Sequence, residues 1–134
     1  MPGGTAIRSR IVADGMEIAG KTGTSQVRNI TAAERARGVT SNADLPWERR
    51  DHALFVCYAP YDAPRYAVSL VVEHGGGGSA AAAPVARDIM LFALYGGLPP
   101  IDAYPADQRE RMRTYLEALP LRERQQPGPA RSRA

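Results

Sequence analysis

Lys21 is the only lysine in this 134-residue chain, and the other 16 basic side chains are arginine, so chemistry that needs a side-chain amine has one candidate. Two patterns overlap on it. Gly15-Met16-Glu17-Ile18-Ala19-Gly20-Lys21-Thr22 spells G-x-x-x-x-G-K-[ST], in which a glycine-rich loop and a lysine cradle phosphate groups. Lys21-Thr22-Gly23-Thr24 spells K-T-G-T, which puts an amine, two hydroxyls and a glycine within four residues. On an edge strand such a run presents unpaired backbone groups, along which an extended peptide can dock antiparallel.

The elements that must position the lysine separate the two readings. Phosphate binding needs a strand before Gly15, a flexible nest between the glycines and a helix that starts at Lys21. The residues between the glycines are instead bulky. Met16, Ile18, Gly20, Thr22 and Thr24 alternate with Glu17, Ala19, Lys21, Gly23 and Ser25, which predicts a strand over 16–27. Thr22-Gly23-Thr24-Ser25 is a poor helix start. The nucleotide-binding use of Gly15, Lys21 and Thr22 is therefore the alternative reading, disfavoured by its context.

Around this strand the pattern predicts an α+β fold of antiparallel strands with a packed C-terminal helix. Ile7–Val12 reads as a short strand, separated from the next by the turn dipeptide Asp14-Gly15. Residues 28–51 read as a long polar excursion with a helical turn at Ala32–Ala36 and Trp47 as its anchor. His52–Ala59 and Tyr66–Glu73 are apolar on both faces, as sheet-centre strands are, and their six-residue link is too short for a crossover, so they pair antiparallel. Gly75–Gly78 reads as a flexible hinge. Ser79 is the expected cap of a helix from about Ala81 to Tyr95, with Pro84 in its first turn and Val85, Ile89, Leu91, Phe92 and Tyr95 toward the sheet. Gly96-Gly97 ends that helix. Residues 98–119 form an arginine-rich extension whose helix, Ala106–Ala118, uses Met112, Tyr115, Leu116 and Leu119, and residues 120–134 have the composition of a disordered tail.

Composition excludes several classes. The net charge of +3 comes from the end of the chain, where seven arginines after Pro105 face Asp107, Glu110, Glu117 and Glu123. No basic stripe interleaved with aromatics is present, which argues against a nucleic-acid partner. Cys57 is a lone cysteine in mid-strand, read as a small core residue rather than a nucleophile, and no metal-ligand spacing or cofactor motif accompanies it. His52 and His74 stand at strand ends and read as structural or surface residues. No apolar run is long enough to cross a bilayer, and no signal segment follows Met1, so the chain carries no export or membrane address of its own.

A succession of short segments carries a resemblance: Gly3-Gly4-Thr5-Ala6; Ile18 through Val27; Asp51 through Val56 with Tyr58-Ala59-Pro60; Arg65 through Val68 with Val71-Val72-Glu73; then the glycine cluster and Ala83-Pro84-Val85-Ala86-Arg87-Asp88. In this order they resemble the C-terminal part of the transpeptidase domain of class B penicillin-binding proteins, especially the elongation-type penicillin-binding protein 2. The resemblance covers about residues 2–97, taken as one partial penicillin-binding/β-lactamase-like domain. It implies a peptidoglycan D,D-transpeptidase, acylated by β-lactams, whose substrate is a stem peptide ending in D-Ala-D-Ala. By the same resemblance Lys21 supplies positive potential and a proton path, the Thr24 N–H forms half an oxyanion hole, and the Thr22 and Thr24 hydroxyls hold the substrate carboxylate. Gly23 lets substrate approach the backbone. The elongation context favours synthesis over β-lactam hydrolysis.

The family's nucleophile sits in Ser-x-x-Lys, and these residues do not contain that motif, since Ile18 stands three before the lysine. Thr40-Ser41-Asn42 echoes the family's Ser-x-Asn but follows K-T-G and is discounted. The expectation is a fragment that supplies one wall of a site, inactive by itself, with apolar sheet surface left uncovered. Its partner would be the missing N-terminal part of the same protein. The full-length family is anchored in the inner membrane, faces the periplasm and works with the cell-wall elongation machinery.

Overall fold

In the computed structural model, which describes residues 3–120, the apolar runs form a three-stranded antiparallel sheet. β1 (Ala19–Ser25) pairs with β2 (His52–Ala59), and β2 with β3 (Tyr66–Val72). Lys21 lies opposite Val56, Gly23 opposite Leu54 and Phe55 opposite Leu70. Strand side chains alternate between faces, so Ala53, Phe55, Cys57 and Ala59 form one buried row while Val56 and Tyr58 point to the other, exposed face. The uncovered apolar surface expected from the sequence is this second face, with Val71 added from β3. The tail expected from residue 120 lies outside the described residues beyond Pro120.

Helix α2 (Ala83–Tyr95) covers the first face. Pro84 sits in its first turn, and Gly96, at φ 69°, ends it in the left-handed region. Its inner surface is Ala86, Met90, Leu91 and Leu94, all buried. Burying Met90 and Leu91 stabilises by about 2 kcal/mol each. Tyr95, expected on this side, packs against the same core. Val85, Ile89 and Phe92, expected toward the sheet, face outward at 44%, 46% and 43% exposure. Ala83 and Ala86 bring the start of the helix close to the core, and Met90, Leu91 and Leu94 fill the space further along. With Leu98, Tyr115 and Leu116 they line a surface groove of about 310 Å³.

Two further expectations change. Ser79 caps nothing, because a π-helical turn, Gly78–Ala82, precedes α2 and encloses it. The glycines before it are not a loose hinge. Gly76 needs its φ of 79°, and Gly78 is buried against the sheet.

Ile7–Val12 joins no strand. Ile7–Ser9 is a 3-10 turn whose backbone N–H groups bond locally, with Ser9 buried, and the extended residues after it are held from elsewhere: Ile11 is buried, and the Val12 N–H donates to the Ala103 carbonyl at 3.0 Å. The sheet strand begins only at Ala19, since Met16 closes a turn on Ala13. Residues 98–119 fold back over α2 through the short turns Ile101–Ala103 and Ala106–Gln108 and through α3 (Arg109–Ala118). Tyr104 and Ala103 are fully buried, and Met112 nearly so. Of the apolar set expected to pack α3, Tyr115 is instead exposed. The buried Arg87 stacks 4.8 Å from the Tyr104 ring centroid and bonds Asp88 and Gln108 at 2.9 and 2.7 Å.

The excursion 28–51 contains α1 (Ala32–Arg37), capped by Thr31 and tied to Arg28 through Glu34. Trp47 packs against His74 with the ring centroids 4.4 Å apart and the planes tilted by 54°, while staying half exposed. The His74 N–H donates to His52 Nδ1 at 2.9 Å, joining the ends of β2 and β3.

Candidate active site

Lys21, Thr22, Gly23 and Thr24 occupy the middle of β1, an edge strand among the described residues, with β2 on one side only. Backbone groups two residues apart in such a ladder turn to the same side, so Thr22 and Thr24 aim theirs together. Their side chains also share a face, the one that Gly20 and Phe55 are on. Lys21 and Gly23 are on the other, with Val56 and Leu54. Lys21 and Thr24 are exposed, and Thr22 and Gly23 half-buried.

Three contacts fix this strand. At Gly20 a methyl group would run into the Phe55 ring and lie 2.8 Å from the Val56 carbonyl oxygen, so the residue has to be glycine for β1 to close on β2. Gly78 does the same from the α2 side, resting against the backbone of Gly23 and Leu54. The Thr5 hydroxyl meets the Thr22 hydroxyl at 3.1 Å across 17 residues of sequence. Lys21 Nζ donates to the Thr22 carbonyl at 2.8 Å, and among the described residues it makes no salt bridge. Among the described residues no carboxylate pairs with its charge.

Beside Thr5 opens a cavity of about 650 Å³ whose walls include Arg8, Ser79, Gln108 and Arg111. The sequence reading did not anticipate the roles of Thr5, Gly78, Arg87, Tyr104 and Gln108. Thr5, Gly78 and Arg87 stood only inside segments of the family pattern, with no role attached, and Tyr104 and Gln108 carried no signal. A contact between residues 5 and 22 through a non-strand turn has no periodicity to announce it.

The alternative phosphate-binding use of Gly15, Lys21 and Thr22 fails on geometry. Ala13–Met16 is a turn, no helix begins at Lys21, and the sheet is antiparallel throughout the described residues. Cys57 is buried, and burial pushes its thiol above the ordinary range, which disfavours the thiolate a nucleophile needs. The His74 backbone N–H donates to His52 Nδ1, and His74 Nδ1 meets the Arg50 carbonyl. Asn42, from the Thr40-Ser41-Asn42 echo, exchanges two bonds with Asp51 inside its loop. The described residues contain no group of three or more metal-ligating side chains. No described helix is long and apolar enough to cross a membrane.

The family model "Penicillin binding protein transpeptidase domain" matches residues 2–91. The peptidoglycan D,D-transpeptidase MrdA of Haemophilus influenzae is 41% identical over 104 residues, which is 76% of this chain and 15% of that protein. The peptidoglycan D,D-transpeptidase PbpA of Mycobacterium tuberculosis is 32% identical over 87 residues, covering 61% of this chain and 15% of the relative. Among solved structures, the complex of PBP2 with MreC from Helicobacter pylori aligns at 32% identity and TM-score 0.49, over 69% of this chain and 14% of that one. The chain thus spans about 15% of the length of these two curated relatives. With two thirds of its residues inside one domain family, the chain belongs to the penicillin-binding protein transpeptidase family.

Proposed function

We propose that this chain supplies the K-T-G wall of a peptidoglycan D,D-transpeptidase site. The observation that carries the reading is the placement of Lys21–Thr24 on a strand edge with no neighbour among the described residues, in a chain of this family. The Thr24 N–H is one oxyanion donor, and the hydroxyls of Thr22 and Thr24 hold the carboxylate of a stem peptide or a β-lactam. Gly23 keeps the backbone approachable. Lys21 contributes positive potential and a proton path.

The reaction is acyl transfer. A serine oxygen attacks the carbonyl of the penultimate D-Ala, the terminal D-Ala leaves with a proton, and an amine from a neighbouring strand then takes the acyl group and frees the serine. The serine is not in this chain, because no Ser-x-x-Lys occurs in its 134 residues. It comes from the remainder of a longer transpeptidase. On the same reading, that whole protein acts at the periplasmic face of the inner membrane with the cell-wall elongation machinery, and β-lactams acylate its serine.

A graft tests this. Residues 1–134 replace the matching segment of the H. influenzae relative, and covalent labelling by a fluorescent penicillin is followed in gel. The grafted enzyme should label, Lys21→Ala should slow labelling on the order of 100-fold, and the 134-residue chain alone should not label. Labelling of the chain alone would place the nucleophile within it and overturn the reading. Undiminished labelling of the Lys21→Ala graft would remove Lys21 from the site.

A further inference from the structure

Thr22 is held by residues far from it in sequence, and the outermost support lies beyond residues 2–91, where the family model matches. Thr22 Oγ1 meets Thr5 Oγ1 at 3.1 Å. Thr5 leads into the turn Ile7–Ser9, and the carbonyl of Arg8 in that turn accepts from Gln108 Nε2 at 2.6 Å. The other end of the same carboxamide, Gln108 Oε1, accepts from Nη1 of the buried Arg87 at 2.7 Å. The next residues of the segment are tied down by the Ala103 carbonyl, which accepts from the Val12 N–H. Thr5, Arg8 and Gln108 all border the same 650 Å³ cavity.

We propose that Thr5 and Gln108 are positioning residues for Thr22: Gln108 fixes the turn that carries Thr5, and Thr5 fixes the hydroxyl of Thr22. The inference rests on the transpeptidase reading for its purpose, though not for its geometry. A threonine hydroxyl has one proton and two acceptor sites. With Thr5 as donor, Thr22 accepts on one lone pair and keeps its own proton for a carboxylate. Without Thr5, that hydroxyl rotates freely and has to be ordered by the substrate, which weakens carboxylate recognition.

Gln108 suits its place because a carboxamide carries a donor and an acceptor together. Arg87 offers N–H and needs an acceptor, while the Arg8 carbonyl needs a donor. Glutamate satisfies the first and not the second. Gln108→Glu therefore leaves the bond to Arg87 in place and loses the one to Arg8, separating a role at Thr22 from one in holding Arg87.

Two measurements test the proposal. In the 134-residue chain, NMR follows the Thr22 and Thr24 amides, with the ε-methyls of the buried Met90 and Met112 reporting the fold and the Arg87 environment. Thr5→Val and Gln108→Glu should shift the Thr22 amide and leave both methyls in place, and Gln108→Ala should move Met112 as well. In the graft described above, Thr5→Val and Gln108→Glu should slow penicillin acylation about three- to tenfold, with the loss concentrated in the saturation constant for the carboxylate-bearing β-lactam. Thr5→Ser should restore it. An unmoved Thr22 amide in Gln108→Glu overturns the structural coupling. A moved amide with unchanged acylation overturns the positioning role. If Lys21→Ala is also without effect on acylation, it is the transpeptidase reading that fails, and the NMR result still decides the coupling.

Discussion

Gly78 lies flat against Gly23: a methyl group on Gly78 would sit 2.7 Å from the Gly23 carbonyl oxygen and 3.2 Å from its nitrogen, and would collide with the Leu54 carbonyl. All three are backbone atoms, so no rotamer change can make room. Only glycine lets the turn before α2 touch the strand that carries K-T-G.

Gly78→Ala should therefore push the Gly78–Ala82 turn off β1 and cost about 1–3 kcal/mol, as overpacking does. The neighbouring Gly77 has open space where its methyl would go and an ordinary φ of −98°, so Gly77→Ala should stay within about 0.5 kcal/mol of the parent. Urea midpoints of the two variants make the comparison. Equal midpoints would mean the contact is not made in solution.

The parts of this fold that sequence discloses are those whose side chains repeat. β2 and β3 are largely apolar runs, and their short link left only an antiparallel pairing. β1 was legible through the alternation around Lys21, although its first residues were spent in the turn before it. What periodicity could not show is contact made by small or polar groups. The buried side of α2 includes Ala86 and Met90 along with Leu91, while Val85, Ile89 and Phe92 face the groove; both sides are apolar, so the pattern did not say which one meets the sheet. Arg87 stood only within the family segment Ala83–Asp88, and nothing in that segment announces the Tyr104, Gln108 and Asp88 found around it. At the site itself Lys21–Thr24 stood out by type and spacing. Thr5, Gly78 and Gln108 did not, because each acts through contacts with distant segments that leave no periodic trace.

Arg87 should resist conservative replacement. Its guanidinium serves Asp88 through Nε and Gln108 through Nη1 while its plane covers the Tyr104 ring, three directions that an ammonium cannot satisfy together. Arg87→Lys is expected to cost about 2 kcal/mol, and Arg87→Ala about 3–5 kcal/mol, since it leaves buried partners behind. Burial already pushes the Asp88 carboxyl above the usual range, with the Arg87 charge opposing that shift. In a folded Arg87→Met variant the opposition disappears and the Asp88 titration should move further upward, as carbon-detected NMR would read. A downward move would show that Arg87 does not govern that carboxyl.

Cys57 should be inert in the native chain. It is 5% exposed in the middle of β2, and burial raises its thiol above the ordinary value, so both access and thiolate fraction are low. A thiol reagent such as an aromatic disulfide should react with it only at the rate of opening, and at full speed in denaturant. Stoichiometric labelling on mixing would contradict the packing of the sheet against α2.

The loop before β2 offers a test of charge. Hydrogen bonds from Arg28, at 2.7 and 2.8 Å, hold the Glu34 carboxyl down at about 2, against an ordinary value of 4.5, with a further contribution from the Thr40 N–H. A carboxyl whose folded value lies below its unfolded one contributes its full stabilisation above the unfolded value and loses it as pH falls toward the folded one. The pair should therefore hold α1 at neutral pH and weaken progressively between 4.5 and about 2. Both groups lie at the surface, so salt screening should loosen the same contact. Amide shifts of Ala33 and Ala36 would follow α1 through the titration, with Glu34→Gln as the control. That variant should lack the acid transition and show a looser α1 already at neutral pH. Identical acid titrations in parent and variant would mean that α1 is held by the Thr31 cap alone.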